Sequence, residues 1–212
     1  LDFIWCHNEI DKKYYQGLTG KKCYINPTLM IEDEINPSTV KLEDRSGVMI
    51  GGNMVRWYGG FDSFIVAQEF EENVFAPSMG RKKDREEEMG ITHLPYMTWV
   101  EWINNLSKYK YGVHLMPTWA AGTFTLNCAY HGIPCIGYKG LDTQEKLHPS
   151  LSVEYGDVNM ARSLASRLHN DNDFYETCVD ECRTLYKNSV FREKQYIYIM
   201  NKVIKEVMNE SN

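Results

Sequence analysis

Short apolar runs alternate with amphipathic segments along most of the chain, and this alternation predicts strands joined by helices. The apolar runs are bounded by Gly, Pro or Asn, which is typical of strands in a buried sheet. The predicted strands are 1–6, 21–29, 47–52, 73–78, 90–96, 111–117, 133–138 and 151–155. The predicted helices are 7–20, 59–70, 98–109, 122–132, 158–170, 172–188 and 191–209.

Polar residues at the expected helix boundaries support these assignments. Asn8 is suited to cap the first helix, and Gly20 is suited to end it. Thr98 followed three residues later by Glu101 has the pattern of a capping box. Asp157 is placed to cap the helix that starts at 158.

Strands that alternate with helices predict an α/β fold, in which a parallel sheet carries helices on both faces and further helices follow at the C-terminus. The polar, acidic segment 31–47 predicts a linker or crossing loop. In parallel sheets, ligands bind beyond the carboxyl ends of the strands. The loops expected to gather there are 51–60, 94–98, 117–123 and 138–144.

Composition and charge narrow the function classes. Of the 212 residues, 43% are hydrophobic and 13% are aromatic, which is sufficient for a packed core. The formal net charge is -6, whereas general nucleic-acid binders carry a basic excess, so we expect no nucleic-acid partner. The basic run 80–85 continues directly into the acidic residues 86–88, which is typical of a solvated segment.

The six cysteines are dispersed without zinc-type spacing, which favours buried thiols in a reducing compartment over a disulfide framework. No apolar run reaches the roughly 18 residues that a membrane helix needs, and no signal peptide is visible. We therefore expect a cytoplasmic protein whose membrane association is peripheral if it occurs. Because the chain starts at Leu1 rather than Met, we expect a fragment of a longer protein.

Two loops have a composition suited to phosphate. In 117–125, Gly122 and Thr123 open a predicted helix directly after a strand, and the free backbone N–H groups of a helix start attract anions. An ordinary strand-to-helix corner would carry the same residues. In 51–60, Gly51 and Gly52 end a strand and Arg56 supplies a cation, although the dinucleotide fingerprint G-x-G-x-x-G is absent. A tight turn with a solvent-facing Arg is the alternative there.

Taken together, these loops resemble the donor-binding, C-terminal half of GT-B glycosyltransferases, and residues 44–140 carry the likeness. That family has a loop G-R-x-x-x-x-K-G after a strand, and later P-S-x-x-E-G-F-G-L-x-x-x-E-A-M-A-x-G-x-P-V. The stretch GGNMVRWYGG (51–60) is similar to the first pattern, and PTWAAGTFTLNCAYHGIPCIG (117–137) is similar to the second. The resemblance implies a Rossmann-like parallel sheet that forms one half of a GT-B fold.

The resemblance also implies a substrate, a nucleotide-diphospho-sugar with UDP or GDP as its nucleotide, and a glycan, lipid or protein as acceptor. The pyrophosphate is expected on the backbone N–H groups of Gly122, Thr123 and Phe124, with Arg56 nearby. Catalysis would then consist chiefly of stabilising charge on the leaving diphosphate, with no metal and no other cofactor required.

The remaining site residues follow from the same resemblance. The expected nucleotide and ribose contacts are Leu94, Pro95, Tyr96 and Asn127. The expected sugar contacts are Trp119, Asp142 and Gln144. No catalytic side chain is assigned, because a general base is expected on the part of the protein that this chain lacks.

The sequence departs from the family pattern at charged positions. The Arg and Lys of the first loop fall on Asn53 and Tyr58, and the Glu that holds the ribose falls on Asn127. A non-catalytic interaction module of the same fold is therefore an alternative function. A sugar-nucleotide epimerase is a third reading, for which no acid–base residues are found.

The resemblance implies three parts. Residues 1–46 would be the end of a missing N-terminal acceptor domain plus the interdomain linker. Residues 47–190 would be the donor-binding domain, and 191–212 a helix returning toward the N-terminal domain. The isolated chain is then expected to be inactive.

Two further patterns are interpreted structurally. Asp171-Asn172-Asp173 matches a manganese-binding D-x-D motif, but its place between two predicted helices is typical of capping and turn residues. His114 lies within a predicted strand and is interpreted as a satisfied core histidine. His131, near a helix end, is interpreted as partly charged.

Overall fold

A computed structural model describes residues 3–33, 35, 40–77, 86–118 and 122–210. Its strands are β1 (Phe3–Cys6), β2 (Lys22–Ile25), β3 (Val48–Ile50), β4 (Val74–Ala76), β5 (Thr92–His93), β6 (Tyr111–His114), β7 (Cys135–Tyr138) and β8 (Ser152–Val153). Its α-helices are α1 (Glu9–Thr19), α2 (Gly60–Ala67), α3 (Trp99–Leu106), α4 (Thr123–His131), α5 (Asp142–Leu147), α6 (Val158–Asn170), α7 (Asn172–Lys187) and α8 (Glu193–Glu210).

The larger sheet has six strands, all parallel, in the order β5-β4-β3-β6-β7-β8. Counted from β3, this is the order 3-2-1-4-5-6 of doubly wound nucleotide-binding folds. The chain moves from β3 toward one edge, then returns to the other side of β3 at β6. A crevice opens between the loops that follow these two strands. The predicted α/β fold with a parallel sheet is confirmed.

Alternate side chains of the strands face two different helix layers. Val48 and Ile50 pack in a core with α2, α6 and α7, whereas Met49 packs with α3 and α4. All three residues are fully buried. This is expected for the central strand of a parallel sheet that is covered on both faces.

The helix boundaries predicted from capping residues are also confirmed. Asn8 accepts a hydrogen bond of 2.8 Å from the first turn of α1, and Gly20 ends that helix in the left-handed conformation (φ 64°). Thr98 and Glu101 form the capping box of α3. Asp157 accepts a backbone hydrogen bond of 2.9 Å at the start of α6.

One helix was missed. The segment 138–144 was expected to be a loop, but α5 begins within it at Asp142. This helix has six residues, which is too short for a 3.6-residue period to stand out from the surrounding sequence. It packs against α4 and α7 through buried residues that include Thr143 and Leu147.

The N-terminal residues form a unit of their own, in which β1 and β2 pair in parallel outside the larger sheet. Helix α8 contacts this region, since the hydroxyl of Tyr196 donates to Asn26 Oδ1 at 2.7 Å. The guanidinium of Arg192 donates to both carboxylate oxygens of Glu32 at 2.9 and 3.0 Å, which fixes the start of α8 to the segment after β2. The domain boundaries at 46 and 190 stay a prediction.

A buried arginine secures the carboxyl end of α4. Arg45 is 5% exposed, and its guanidinium donates to the carbonyl oxygens of His131 at 2.9 Å and Gly132 at 3.1 Å. A cation at this end complements the helix dipole. Because α4 follows the parallel strand β6, its amino end lies at the carboxyl edge of the sheet. Within the described residues, no helix is both long and apolar enough to cross a membrane.

Candidate donor-binding site

A cavity of about 430 Å³ lies at the carboxyl ends of β3, β4, β5 and β6, where the strand order reverses. Its position is the one at which doubly wound sheets bind ligands. The residues that line it are Gly51, Tyr58, Pro77, Pro95, Tyr96, Met97, Trp99, Trp102, His114, Met116, Gly122, Thr123, Phe124 and Asn127. The segments 47–52, 90–96, 111–117 and 122–132 are therefore brought together at one site.

The start of α4 forms one wall of this cavity. Gly122 precedes the helix in the left-handed conformation (φ 67°), and Thr123 in the first turn is exposed. The first N–H groups of any α-helix have no partner within the helix. Together with the helix dipole they form a site for an anion. Thr123 and Phe124 both line the cavity, as the phosphate-binding hypothesis requires.

Two threonines hold the turn before α4 in place. The hydroxyls of Thr125 and Thr143 lie 2.9 and 2.8 Å from the carbonyl oxygen of Gly122, and 2.7 Å from each other. Both side chains are fully buried. This arrangement fixes the direction of the helix start before any ligand arrives, which is what a preorganised anion site needs.

Gly122 is required by the protein's own packing. A Cβ atom at this position would lie 1.9 Å from Thr143 Oγ1. This requirement for glycine is independent of any ligand. A substitution of Gly122 is therefore expected to lower the stability of the fold, whatever its effect on ligand binding.

We predict that Gly122→Ala lowers the free energy of unfolding by about 2–5 kcal/mol, from the left-handed backbone and the clash with Thr143 combined. Gly156→Ala is the matched control, because Gly156 is also left-handed (φ 83°) but a Cβ there would meet nothing within 4 Å. Urea denaturation should show a loss of only about 1–2 kcal/mol for the control. Equal losses in the two variants would contradict the clash with Thr143.

Two buried polar side chains line the inner part of the cavity. Asn127 is 2% exposed and His114 is 4% exposed. Asn127 Oδ1 and both ring nitrogens of His114 are buried without a hydrogen-bond partner among the residues that the structure describes. Buried polar atoms are normally paired, so unpaired atoms on residues that line a cavity are candidate contacts for a ligand.

The histidine interpretations need correction. His114 is not a satisfied core residue, because neither ring nitrogen is paired. His131 is not partly charged, because burial lowers its pKa to about 4, although its ring donates a hydrogen bond of 2.7 Å to Ile103 O. Burial likewise lowers the pKa of His114 to about 4. Both imidazoles are therefore neutral at pH 7.

The segment after β5 forms the outer wall. Pro95 and Tyr96 line the cavity, and Tyr96 is 84% exposed, so its ring is available to a ligand. Leu94 belongs to the core, and its backbone N–H donates to Ala76 O at 2.9 Å in the strand ladder. The structure thus brings two of the three predicted base contacts to the site.

The glycine-rich loop 51–60 serves mainly the packing between β3 and β6. A Cβ on Gly59 would lie 1.9 Å from Leu115 O, and one on Gly52 would lie 2.9 Å from Tyr58 Cβ. Gly51 does line the cavity. Arg56 is exposed and lies outside the residues that form the cavity.

Of the predicted sugar contacts, Asp142 and Gln144 do not line the cavity. Gln144 is fully buried, and its amide donates to Cys135 O at 3.0 Å and Ser152 Oγ at 3.2 Å, which ties β7 to β8. Asp142 starts α5 and pairs with Lys146 at 3.0 Å. Trp119 lies outside the described residues, as does the basic run 80–85.

Solved structures that share this fold include glycosyltransferases. Sucrose-phosphate synthase from Thermosynechococcus elongatus matches with a TM-score of 0.74 at 14% identity, over 99% of this chain and 59% of that one. HepE from Anabaena, in complex with UDP and glucose, matches with a TM-score of 0.77 at 9% identity, over 98% and 63% of the two chains. The chain has a GT-B glycosyltransferase fold.

A third GT-B structure, the pneumococcal O-GlcNAc transferase GtfA in complex with UDP and GlcNAc, matches with a TM-score of 0.70 at 10% identity, over 98% of this chain and 46% of that one. No protein-family model matches the sequence, and no curated protein matches it. The chain spans less than two-thirds of the length of these GT-B structures. At such low identity the likeness establishes the fold alone.

The departures from the GT-B sequence pattern have visible consequences. Tyr58, at the position of the family's loop Lys, lines the cavity with an uncharged ring. Asn53, at the position of the loop Arg, is buried, and its Oδ1 accepts from Val55 N at 3.2 Å. Among the described lining residues there is no Asp, Glu, Lys or Arg. Among the described lining residues, the feature suited to a negatively charged ligand is therefore the start of α4.

Some of the aromatic and histidine residues that line this cavity were not predicted as site residues. Trp99 and Trp102 on α3 were not among the predicted site residues, but both line the cavity. His114 was named without a function. The signal that finds it is positional, since His114 is the last residue of β6, one of the two strands at the reversal.

The manganese-like motif has the structural role that was expected. Asp171 Oδ1 accepts from Phe174 N at 3.0 Å and so caps α7. In the described part of the chain, no group of three His, Cys, Asp or Glu side chains is placed to hold a metal ion.

Proposed function

We propose that this cavity binds a nucleotide-diphospho-sugar and that the chain is the donor-binding domain of a metal-independent glycosyltransferase. The observation that carries the proposal is the start of α4, whose first turn opens into a cavity that has no charged side chain among its described lining residues. The positive end of the helix dipole would hold the two phosphates. Because Arg56 lies outside the cavity, the proposal assigns the phosphate charge to the amides of Thr123 and Phe124.

The residues that line the cavity indicate where the base and the ribose of the donor would bind. The base would lie against Tyr96 and Trp99 at the outer wall, since aromatic rings stack on any nucleobase. The ribose would reach Asn127. When the bond from the sugar to the diphosphate breaks, negative charge grows on the leaving group, and the fixed amides of α4 would stabilise it. No metal is needed for this step.

Calorimetric titration of the chain with UDP and GDP tests the proposal. We expect at least one of them to bind, and the matching nucleoside, which lacks phosphates, to bind at least about tenfold more weakly if the helix start holds the phosphates. Absence of heat with both nucleotides at millimolar concentration would contradict the proposal. So would equal affinity for nucleotide and nucleoside.

Tyr96→Ala should weaken nucleotide binding by about tenfold or more, because the ring is exposed and stacking on a base contributes about 1–3 kcal/mol. The melting temperature should stay unchanged, because the Tyr96 side chain is exposed and contributes little to the core. Tyr155→Ala is the matched control, since Tyr155 is 70% exposed but lines a separate cavity with Lys139 and Gly140. A Tyr96 variant that binds as well as this control would place the base elsewhere.

The transfer reaction itself would need an acceptor, which we propose to be a glycan, lipid or protein held largely outside this chain. A non-catalytic module is the second candidate, and it is favoured by the uncharged residues Tyr58 and Asn127 at positions that are charged in the family pattern. Hydrolysis or transfer of any nucleotide sugar by a longer form of the protein would exclude it. Binding without turnover in that form would support it.

A further inference from the structure

His114 occupies a fixed position in the cavity wall. Its ring packs edge-to-face against Phe124, with the ring centroids 5.4 Å apart and an interplanar angle of 73°. The backbone of Gly51 also lies close to the ring, because a Cβ there would be 2.6 Å from His114 Cγ. The imidazole therefore has little room to turn toward a partner within the protein.

The unpaired atoms of His114 and Asn127 define the chemistry of what they contact. A neutral imidazole carries one N–H donor and one nitrogen that accepts, and Asn127 Oδ1 only accepts. Both residues line the cavity, and their unpaired atoms together comprise one donor and two acceptors. Burial holds the pKa of His114 at about 4, so this pattern persists at neutral pH.

A phosphate group does not fit this pattern. Phosphate oxygens in a diphosphate ester only accept hydrogen bonds, so they would satisfy the single donor and leave both acceptors unpaired. A hydroxyl group donates and accepts, and two neighbouring hydroxyls supply enough donors for both acceptors. Buried groups that lose water without gaining a partner weaken binding.

We propose that His114 is a specificity-determining residue which, together with Asn127, binds neighbouring hydroxyl groups of the ligand. This inference rests on the proposed donor-binding function. The hydroxyls belong to the ribose of the nucleotide or to the transferred sugar, and the chemistry of recognition is the same for both. The phosphates would bind at the start of α4.

The test compares His114→Phe, which keeps an aromatic ring but removes both nitrogens, with His114→Gln, which restores one donor and one acceptor. Each is titrated calorimetrically with UDP, 2′-deoxy-UDP and UDP-glucose. If the ribose is the source, His114→Phe binds UDP about tenfold more weakly than the wild type does, and it distinguishes UDP from 2′-deoxy-UDP less well than the wild type does. If the sugar is the source, only UDP-glucose loses affinity. His114→Gln recovers part of the loss in either case.

Stability gives a readout that does not depend on nucleotide. Because the nitrogens of His114 are unpaired, His114→Phe should raise the urea midpoint, or leave it unchanged. His131→Phe is the matched control and should lower the midpoint, since the ring of His131 donates to Ile103 O at 2.7 Å. A His114→Phe variant as destabilised as this control would overturn the inference.

The outcomes separate the two proposals. Wild-type protein that binds none of the three ligands contradicts the donor-binding function and this inference with it. Wild-type protein that binds UDP and UDP-glucose, with affinities that His114→Phe leaves unchanged, overturns the role of His114 alone and leaves the donor-binding function in place.

Discussion

Thr123→Glu is expected to weaken diphosphate binding by about 30- to 100-fold without lowering the stability of the protein. Thr123 lies in the first turn of α4, is exposed and lines the cavity. A carboxylate there would stand close to the proposed phosphates. Repulsion between two charges about 6 Å apart costs about 2–3 kcal/mol at an effective dielectric constant near 20.

The same carboxylate favours folding, because a negative charge in the first turn of a helix stabilises it by about 0.3–1 kcal/mol. Thr123→Gln is the control, with nearly the same shape and no charge. Calorimetry with UDP and urea denaturation of both variants should therefore show that affinity and stability change in opposite directions for Glu. Equal UDP affinities of the Glu and Gln variants would show that no phosphate lies at the start of α4.

Acidification from pH 7 to pH 5 is expected to lower the free energy of unfolding by several kcal/mol. Burial lowers the pKa of His114, His131 and His148 from the ordinary value of 6.5 to about 4 in each case. Between these two pH values the unfolded chain binds protons that the folded chain does not, so stability falls as the pH falls. Each buried histidine contributes about 2 kcal/mol to the loss by pH 5.

The measurement is urea denaturation at half-unit steps of pH. The m-value at each pH is compared with the m-value at pH 7, because a constant m-value supports two-state unfolding. Glu32 does not obscure this window. The hydrogen bond from Arg192 lowers the pKa of its carboxyl group, so the stability that it contributes is lost mainly below the ordinary value of 4.5. His148→Gln keeps a donor for Thr125 O and should remove about a third of the slope. Stability that is flat between pH 7 and pH 5 would mean that these rings are charged or exposed.

Much of the fold was predictable because it depends on local patterns. The apolar runs gave the strands, and Asn8, Thr98 and Asp157 gave helix starts that the structure confirms. The order of the strands was a different matter. It depends on which strands pair across the sheet, and no local pattern carries that information. The alternation of strands and helices limited the possible strand orders but did not select one of them.

Site residues whose role depends on the backbone at a helix start could be predicted from the sequence. Residues whose role depends on side-chain burial or partners could not. Gly122 and Thr123 were found because a glycine before a helix has a local signature. Gln144 was expected in a loop and lies buried in α5, because a helix of six residues has no periodicity to reveal it. His114 was taken for core because a strand residue between apolar neighbours normally is. Whether its nitrogens have partners depends on residues distant in sequence.

The most direct test of the account is a crystal structure of the protein soaked with UDP-glucose in excess. The account predicts a diphosphate within hydrogen-bond distance of the backbone N–H groups of Thr123 and Phe124, with the base beside Tyr96. A cavity that remains without an anion under these conditions, or a diphosphate bound at a different part of the protein, would contradict it.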